Sequence, residues 1–200
     1  FRREWFEIID VTLGGAKRCR YWDLAATEQS KKSKDPDWTV GCKMAAAPRM
    51  DRFVIEDVQR VRATPAGVEA LIRQTAALDG KACTIFMEQE PGASGVNTIA
   101  YYRRVLAGYS FYPVKTTGSK EVRAYPLSAQ SEAGNIKLLA GPWINTFLEE
   151  LEGFPQGSHD DQVDAAAGAY ERLCEQPEDV IVIYDAMQQI ESMDLFYDTS

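Results

Sequence analysis

The chain predicts an α/β layered fold, and three features carry that prediction. Three strand-like segments follow one another before any helix signal appears. Helix and strand patterns then alternate as far as residue 139. The first of the strand-like segments is apolar without clean alternation, as a strand covered on both faces is.

Residues 17–26 form that first strand, after a mixed stretch that Gly14-Gly15 closes as a turn or linker. A polar, Lys-rich loop over 27–37 leads to a second strand at 38–47, which Pro48 ends. Residues 52–62 alternate and make the third strand, so the opening is a meander. Thr64-Pro65 marks a helix start, a hydroxyl N-cap followed by proline at the first helical position. That helix runs to about Leu78 and stops at Asp79-Gly80. Residues 82–89 are a short apolar strand. Gly92 and Gly95 then shape a turn, 97–106 is a helix closed by Gly108, and 109–114 is the fifth strand. The polar stretch 115–130 holds a helix in its second half, and 136–139 is a strand. Pro142-Trp143 opens a helix through Leu151, and 153–157 is a loop. The helix 160–174 has a small-residue centre, Ala165-Ala166-Ala167-Gly168-Ala169, that permits close approach to a sheet. Past Pro177, residues 180–184 are strand-like and an amphipathic segment follows.

Two hundred residues suit one domain with a sizeable core. The expected division is an extension over 1–16, a folded domain over 17–174 and an acidic extension over 175–200. No apolar stretch is long enough to span a bilayer and no signal peptide is evident, so the expectation is a cytoplasmic protein that is neither secreted nor membrane-bound. The start at Phe1 is expected of an excerpt from a longer chain. Cys19, Cys42, Cys83 and Cys174 form no CxxC pair and are expected as buried reduced thiols. The net charge of −8 argues at first against a nucleic-acid partner. Residues 175–200, however, hold seven acidic residues and no Lys or Arg, which leaves 1–174 at −1. The body of the chain is therefore not repulsive to DNA. The tail reads as a flexible or partner-binding extension, or as a charge mimic lying over a DNA groove.

Carboxylates stand at the ends of three apolar runs: Asp23, Glu88, and the cluster His159-Asp160-Asp161-Gln162-Val163-Asp164. Singly, each has an ordinary explanation: a loop cap at Asp23, edge charges at Glu88 and Glu90, and a helix N-cap with favourable dipole charges at 159–161. Together they are harder to explain by capping. A carboxylate beside a buried strand is costly unless its charge is compensated, and Mg²⁺ or Mn²⁺ compensates it through oxygen ligands. Asp160 and Asp164 share a helical face, as do Asp161 and Asp164, so one helix offers a ligand and its support together. Two such ions side by side clamp the attacking and leaving oxygens of a phosphodiester. The expectation is a metal-dependent nuclease that needs no protein nucleophile.

Four motifs sharpen this: Trp22-Asp23-Leu24-Ala25, Asp35-Pro36-Asp37-Trp38-Thr39-Val40, Glu88-Gln89-Glu90-Pro91-Gly92-Ala93-Ser94-Gly95, and His159-Asp160-Asp161-Gln162-Val163-Asp164-Ala165. Together they resemble the nuclease domain of tailed-phage terminase large subunits, over about residues 17–174. Residues 115–134, with Lys120, Arg123 and a Gly134-Asn135-Ile136 turn, fit the same family. The resemblance implies an RNase H-like three-layer fold with a central mixed sheet: a three-stranded antiparallel meander plus parallel strands, flanked by helices. It also implies an endonuclease that cuts concatemeric viral DNA during genome packaging, using two Mg²⁺ or Mn²⁺ ions.

By that resemblance Asp23 bridges the metals and Glu88 is the second ligand, with Glu90 as runner-up. Asp160 and Asp161, not separable by sequence, supply the helix-borne ligand, and Asp164 is a secondary candidate. Asp37 and His159 would support the ligands. Lys120 and Arg123, with Lys115, Lys31, Lys32 and Lys34, would hold DNA phosphates. The implied partners are double-stranded DNA, an N-terminal ATPase domain of the same full-length protein, a portal protein and a small terminase subunit, meeting on the procapsid in the host cytoplasm. No GxxxxGK[ST] occurs, and Thr117-Gly118-Ser119-Lys120 is not a P-loop. The motor is expected upstream of Phe1. The alternatives are another RNase H-like nuclease, such as a resolvase or transposase core, or a non-catalytic module that docks on a portal or partner.

Overall fold

Strand β2 (Lys17–Asp23) decides the architecture through the alternation of its side chains. Cys19 and Tyr21 join one apolar cluster, while Trp22 joins another. The strand is therefore covered on both faces, and the molecule has a helix–sheet–helix layering. The computed structural model describes residues 1–25 and 37–175. Lys31, Lys32, Lys34 and the strand-like run 180–184 lie outside the described residues.

The other strands are β1 (Glu7–Ile9), β3 (Thr39–Ala46), β4 (Phe53–Val61), β5 (Cys83–Glu88), β6 (Phe111–Val114) and β7 (Ile136–Leu139). They form one seven-stranded sheet in the order β1-β7-β4-β3-β2-β5-β6. The meander is present as expected: β2, β3 and β4 pair antiparallel, with a bulge between Lys43 and Met44. The remaining pairings are parallel. The mixed sheet and its flanking helices bear out the expected fold.

Helices α1 (Pro65–Asp79) and α2 (Ala93–Val105) cover one face, around Trp22, Ile72, Ile85, Met87, Ile99 and Leu106. Helices α3 (Lys120–Glu132), α4 (Ile144–Gly153) and α5 (Asp161–Cys174) cover the other. The start of α1 is as expected, with Thr64 Oγ1 accepting from the Gly67 amide at 3.3 Å and Pro65 in the first turn. It ends at Gly80, whose φ of 78° only glycine adopts freely.

Three segments differ from expectation. Residues 1–16 contribute β1, an edge strand parallel to β7 that is too short to announce itself by alternation. Helix α2 starts at Ala93, so Gly95 lies inside it and not in a turn. A Cβ at Gly95 would fall 1.9 Å from the Glu90 carbonyl oxygen, and the glycine lets the helix begin hard against the preceding loop. Helix α3 starts at Lys120 under a Ser119 N-cap, earlier than its composition suggested, and tolerates Pro126 within it. Cys19, Cys42 and Cys83 are buried free thiols, and burial pushes each thiol pKa up. Cys174 is free and exposed.

A buried ion-pair network pins the α1 side of the sheet. Arg20 donates to Asp79 (2.7 Å) and to the Gly41 carbonyl (2.9 Å), and pairs with Asp57 at 2.8 Å. A guanidinium only 2% exposed is tolerable because these partners use its donors. On the other face, α5 lies directly over β2 and β3. Its Gly168 makes room for the Tyr21 ring, which a Cβ there would approach to 2.5 Å. Gly168→Ala should gain up to about 1 kcal/mol of helix propensity. It should lose about 1–3 kcal/mol to overpacking against a ring that is itself fully enclosed. Net destabilisation in urea unfolding is expected, and a variant as stable as the parent would refute the close-packing account.

Candidate metal centre

The β2–β5 pairing brings the strand-borne carboxylates together. Trp22 is in register with Met87, and the next residue on each strand is acidic: Asp23 and Glu88. Both follow the parity of Tyr21 and Phe86, whose cluster lies under α5. Asp160 stands at the N-cap position of α5, and Asp161 and Asp164 occupy its first turn, where the positive end of the helix dipole favours carboxylates. Strand ends and helix start thus meet at one edge of the sheet.

A run of ion pairs links them. Arg123 reaches Glu88 Oε2 at 3.5 Å and Asp164 Oδ1 at 3.1 Å. Lys120 Nζ lies 3.0 Å from Asp164 Oδ2 and 2.6 Å from Asp160 Oδ1. Glu88 is held from two further sides, by the Thr116 hydroxyl on Oε1 (2.7 Å) and the Tyr21 phenol on Oε2 (3.4 Å). Burial, followed by repulsion from Glu88, Asp164 and Asp161, pushes the Asp23 carboxyl well up from its ordinary range. Burial also pushes Asp164 up, against the pull of Lys120 and Arg123. Burial works against the charge of Lys120, but its bonds to Asp160 and Asp164 outweigh that and hold it charged. Burial and the charge of Glu88 keep the Tyr21 phenol protonated, so it remains a donor.

The three helix-borne acids, of which sequence left Asp160 and Asp161 unseparated, take different directions. Asp164, ranked behind its neighbours, shares Arg123 with Glu88 and is 4% exposed. Asp160 sits at the rim, paired with Lys120. Asp161 accepts the Trp38 amide N–H, just ahead of β3, at 3.2 Å, and burial raises its pKa to about 6. Ligand atoms of Asp161, His159 and Asp37 all lie within 4.8 Å of one another, a second grouping that could hold a metal ion. Arg62 approaches His159 Nε2 at 3.2 Å; a guanidinium only donates, so Nε2 accepts and a neutral ring carries its proton on Nδ1, 3.7 Å from Asp161. Glu90 lies beyond the end of β5 and is exposed. Lys115 is exposed beside Thr116.

Several residues that fix this geometry were not foreseen. Glu150 of α4 accepts from both the backbone N–H and the side-chain amide of Gln162, each at 2.6 Å, and so clamps the first turn of α5. Arg60 pairs with Glu150 at 3.5 Å and stacks on Trp38, as does Arg62, with centroid distances of 3.9 and 4.0 Å. Tyr21 carried one signal, its place two residues before Asp23 on the same strand face. Thr116 and Glu150 carried none, because their partners are distant in sequence.

The terminase RNaseH-like domain family matches residues 20–173, and the chain belongs to that family. The fold is shared with the large terminase nuclease of thermophilic phage G20c solved with bound zinc: TM-score 0.60 and 18% identity, covering 84% of this chain and 94% of that one. The phage P22 large terminase nuclease domain gives TM-score 0.63 and 13% identity, covering 90% and 94%. The manganese-soaked human cytomegalovirus terminase nuclease domain gives TM-score 0.63 and 14% identity, covering 87% and 93%. At these identities the likeness is one of fold. No curated protein sequence matches the chain. Among the described residues no helix is long and apolar enough to cross a membrane.

Thr116 offers a check on the geometry around Glu88. Thr116→Val keeps the shape and removes the donor, so it should cost about 1.5 kcal/mol, the lower end for a bond to a charged group. Urea unfolding in the presence of a chelator measures it, and an unchanged midpoint would show that the bond does not hold Glu88.

Proposed function

We propose that this chain is the metal-dependent endonuclease domain of a phage packaging terminase large subunit, acting on concatemeric viral DNA. One observation carries the reading: Asp23 and Glu88 end adjacent parallel strands at the edge where the first turn of α5 presents Asp164, Asp161 and Asp160. The donor set is made of carboxylate oxygens, the chemistry that suits Mg²⁺ or Mn²⁺. Asp23, Glu88 and Asp164 are the proposed ligands, with Asp160 and Asp161 flanking them and two ions as the proposed complement. When bound, such ions polarise the phosphodiester and lower the pKa of a coordinated water.

The chain's own residues do the remaining work. Tyr21 and Thr116 fix the rotamer of Glu88. Glu150 and the Arg60–Trp38–Arg62 stack hold the start of α5, and the Trp38 amide orients Asp161. Asp37 and His159 stand beside Asp161 and support its position. Lys115, exposed next to Thr116, is placed to take a DNA phosphate without reading sequence. The family supports double-stranded DNA as substrate. In this reading an ATPase domain of the full-length protein, a portal protein and a small terminase subunit are its partners, on a procapsid in the host cytoplasm.

Nicking of supercoiled plasmid by the chain in Mn²⁺ tests the proposal. Asp23→Asn, Glu88→Gln and Asp164→Asn should each lower the rate by more than the ~10–100-fold typical of residues that merely support a ligand. Lys115→Ala should weaken DNA binding and reduce the salt slope by about one. Full nicking by Asp23→Asn would defeat the assignment.

A further inference from the structure

Resting on that ligand assignment, we infer that Lys120 and Arg123 are built-in counter-ions that compete with divalent ions for the carboxylate cluster. Loading of ions and release of these two side chains from α3 are then one coupled event.

Charge and exposure carry the argument. With Asp161 turned to the Trp38 amide, Asp23, Glu88, Asp160 and Asp164 bring four carboxylates to the site, and α3 brings two cations. Both oxygens of Asp164 are engaged, Oδ1 by Arg123 and Oδ2 by Lys120. With both cations in place the four carboxylates, once all are ionised, keep two uncompensated charges, which one divalent ion satisfies. Two divalent ions match all four carboxylates only when Lys120 and Arg123 turn away.

The two cations differ in how readily they can leave. The Lys120 side chain is 48% exposed and reaches in from solvent on a flexible stem, so it returns to water at little cost. Arg123 is 16% exposed and bridges Glu88 to Asp164, which makes it the more firmly held of the pair. Lys120 is therefore the first to exchange. Once displaced, it stands at the rim beside Asp160, free to meet a phosphate. The expectation that Lys120 and Arg123 bind DNA and their observed contacts with carboxylates are thereby two states of the same residues. Ion loading hands the cations over from carboxylates to substrate.

Calorimetric titration of Mn²⁺ into the 200-residue chain without DNA tests this. Lys120→Met should bind Mn²⁺ about tenfold tighter than the parent, the order expected for removing a unit charge a few ångströms away after solvent screening. Arg123→Gln should shift in the same direction, whereas Lys120→Arg, which keeps the charge, should retain parental affinity. Without metal, Lys120→Met should melt lower than the parent and gain more from added Mn²⁺, since tighter binding to the folded state stabilises it further. If Asp23→Asn and Glu88→Gln lose the ion but Lys120→Met and Arg123→Gln bind it no more tightly than the parent, the counter-ion proposal alone is overturned. If Mn²⁺ binding is indifferent to Asp23→Asn and Glu88→Gln, the ligand assignment fails and takes this inference with it.

Discussion

Compensating buried negative charge is the constraint on which the rest of this structure depends. Asp164 is nearly enclosed, and Asp23, Glu88 and Asp161 crowd the same edge of the sheet. Left alone, such a cluster would repel itself apart or take up protons, as the raised pKa of Asp23 indicates. The fold meets that cost with two cations from α3, the N-terminal dipole of α5 and a set of neutral donors on individual oxygens. The parallel β2–β5 pair, the Gly168 notch over Tyr21 and the Glu150 clamp keep these groups at close range.

The two faces of the sheet treat charge differently. On the α1 side Arg20 is sealed at 2% exposure among Asp57, Asp79 and a backbone carbonyl. Breaking such a pair strands a charge in the interior, so that network is structural. On the α5 side Lys120 is about half in water and its partner Asp160 stands at the rim, while Asp164 is enclosed. An ion pair with one mobile, hydrated member can be exchanged at modest cost. Burial, more than distance, separates the two networks.

The main lines of the fold were legible because they rest on local signals. The meander, the Thr64-Pro65 helix start and the strand at 136–139 each follow from residues close together in sequence. The edge strand β1 was not, since three residues hold too little alternation and are fixed only by pairing with β7. Helix α2 began earlier than expected because Gly95 serves close packing against the Glu90 backbone and not a turn.

The sequence by itself determined the family motifs, the acidic stations and the strands and helices that carry them, since each is written in side-chain chemistry and short-range spacing. Only the tertiary structure decided which helix-borne acid faces Glu88. Asp160, Asp161 and Asp164 are equivalent in composition, and their separation comes from the rotation of α5 against β2 and β3. That rotation is set by Gly168 against Tyr21 and by Gln162 in the grip of Glu150. Contacts between residues so far apart in the chain exist only once the layers have packed, which is why sequence ranked Asp164 behind Asp160 and Asp161.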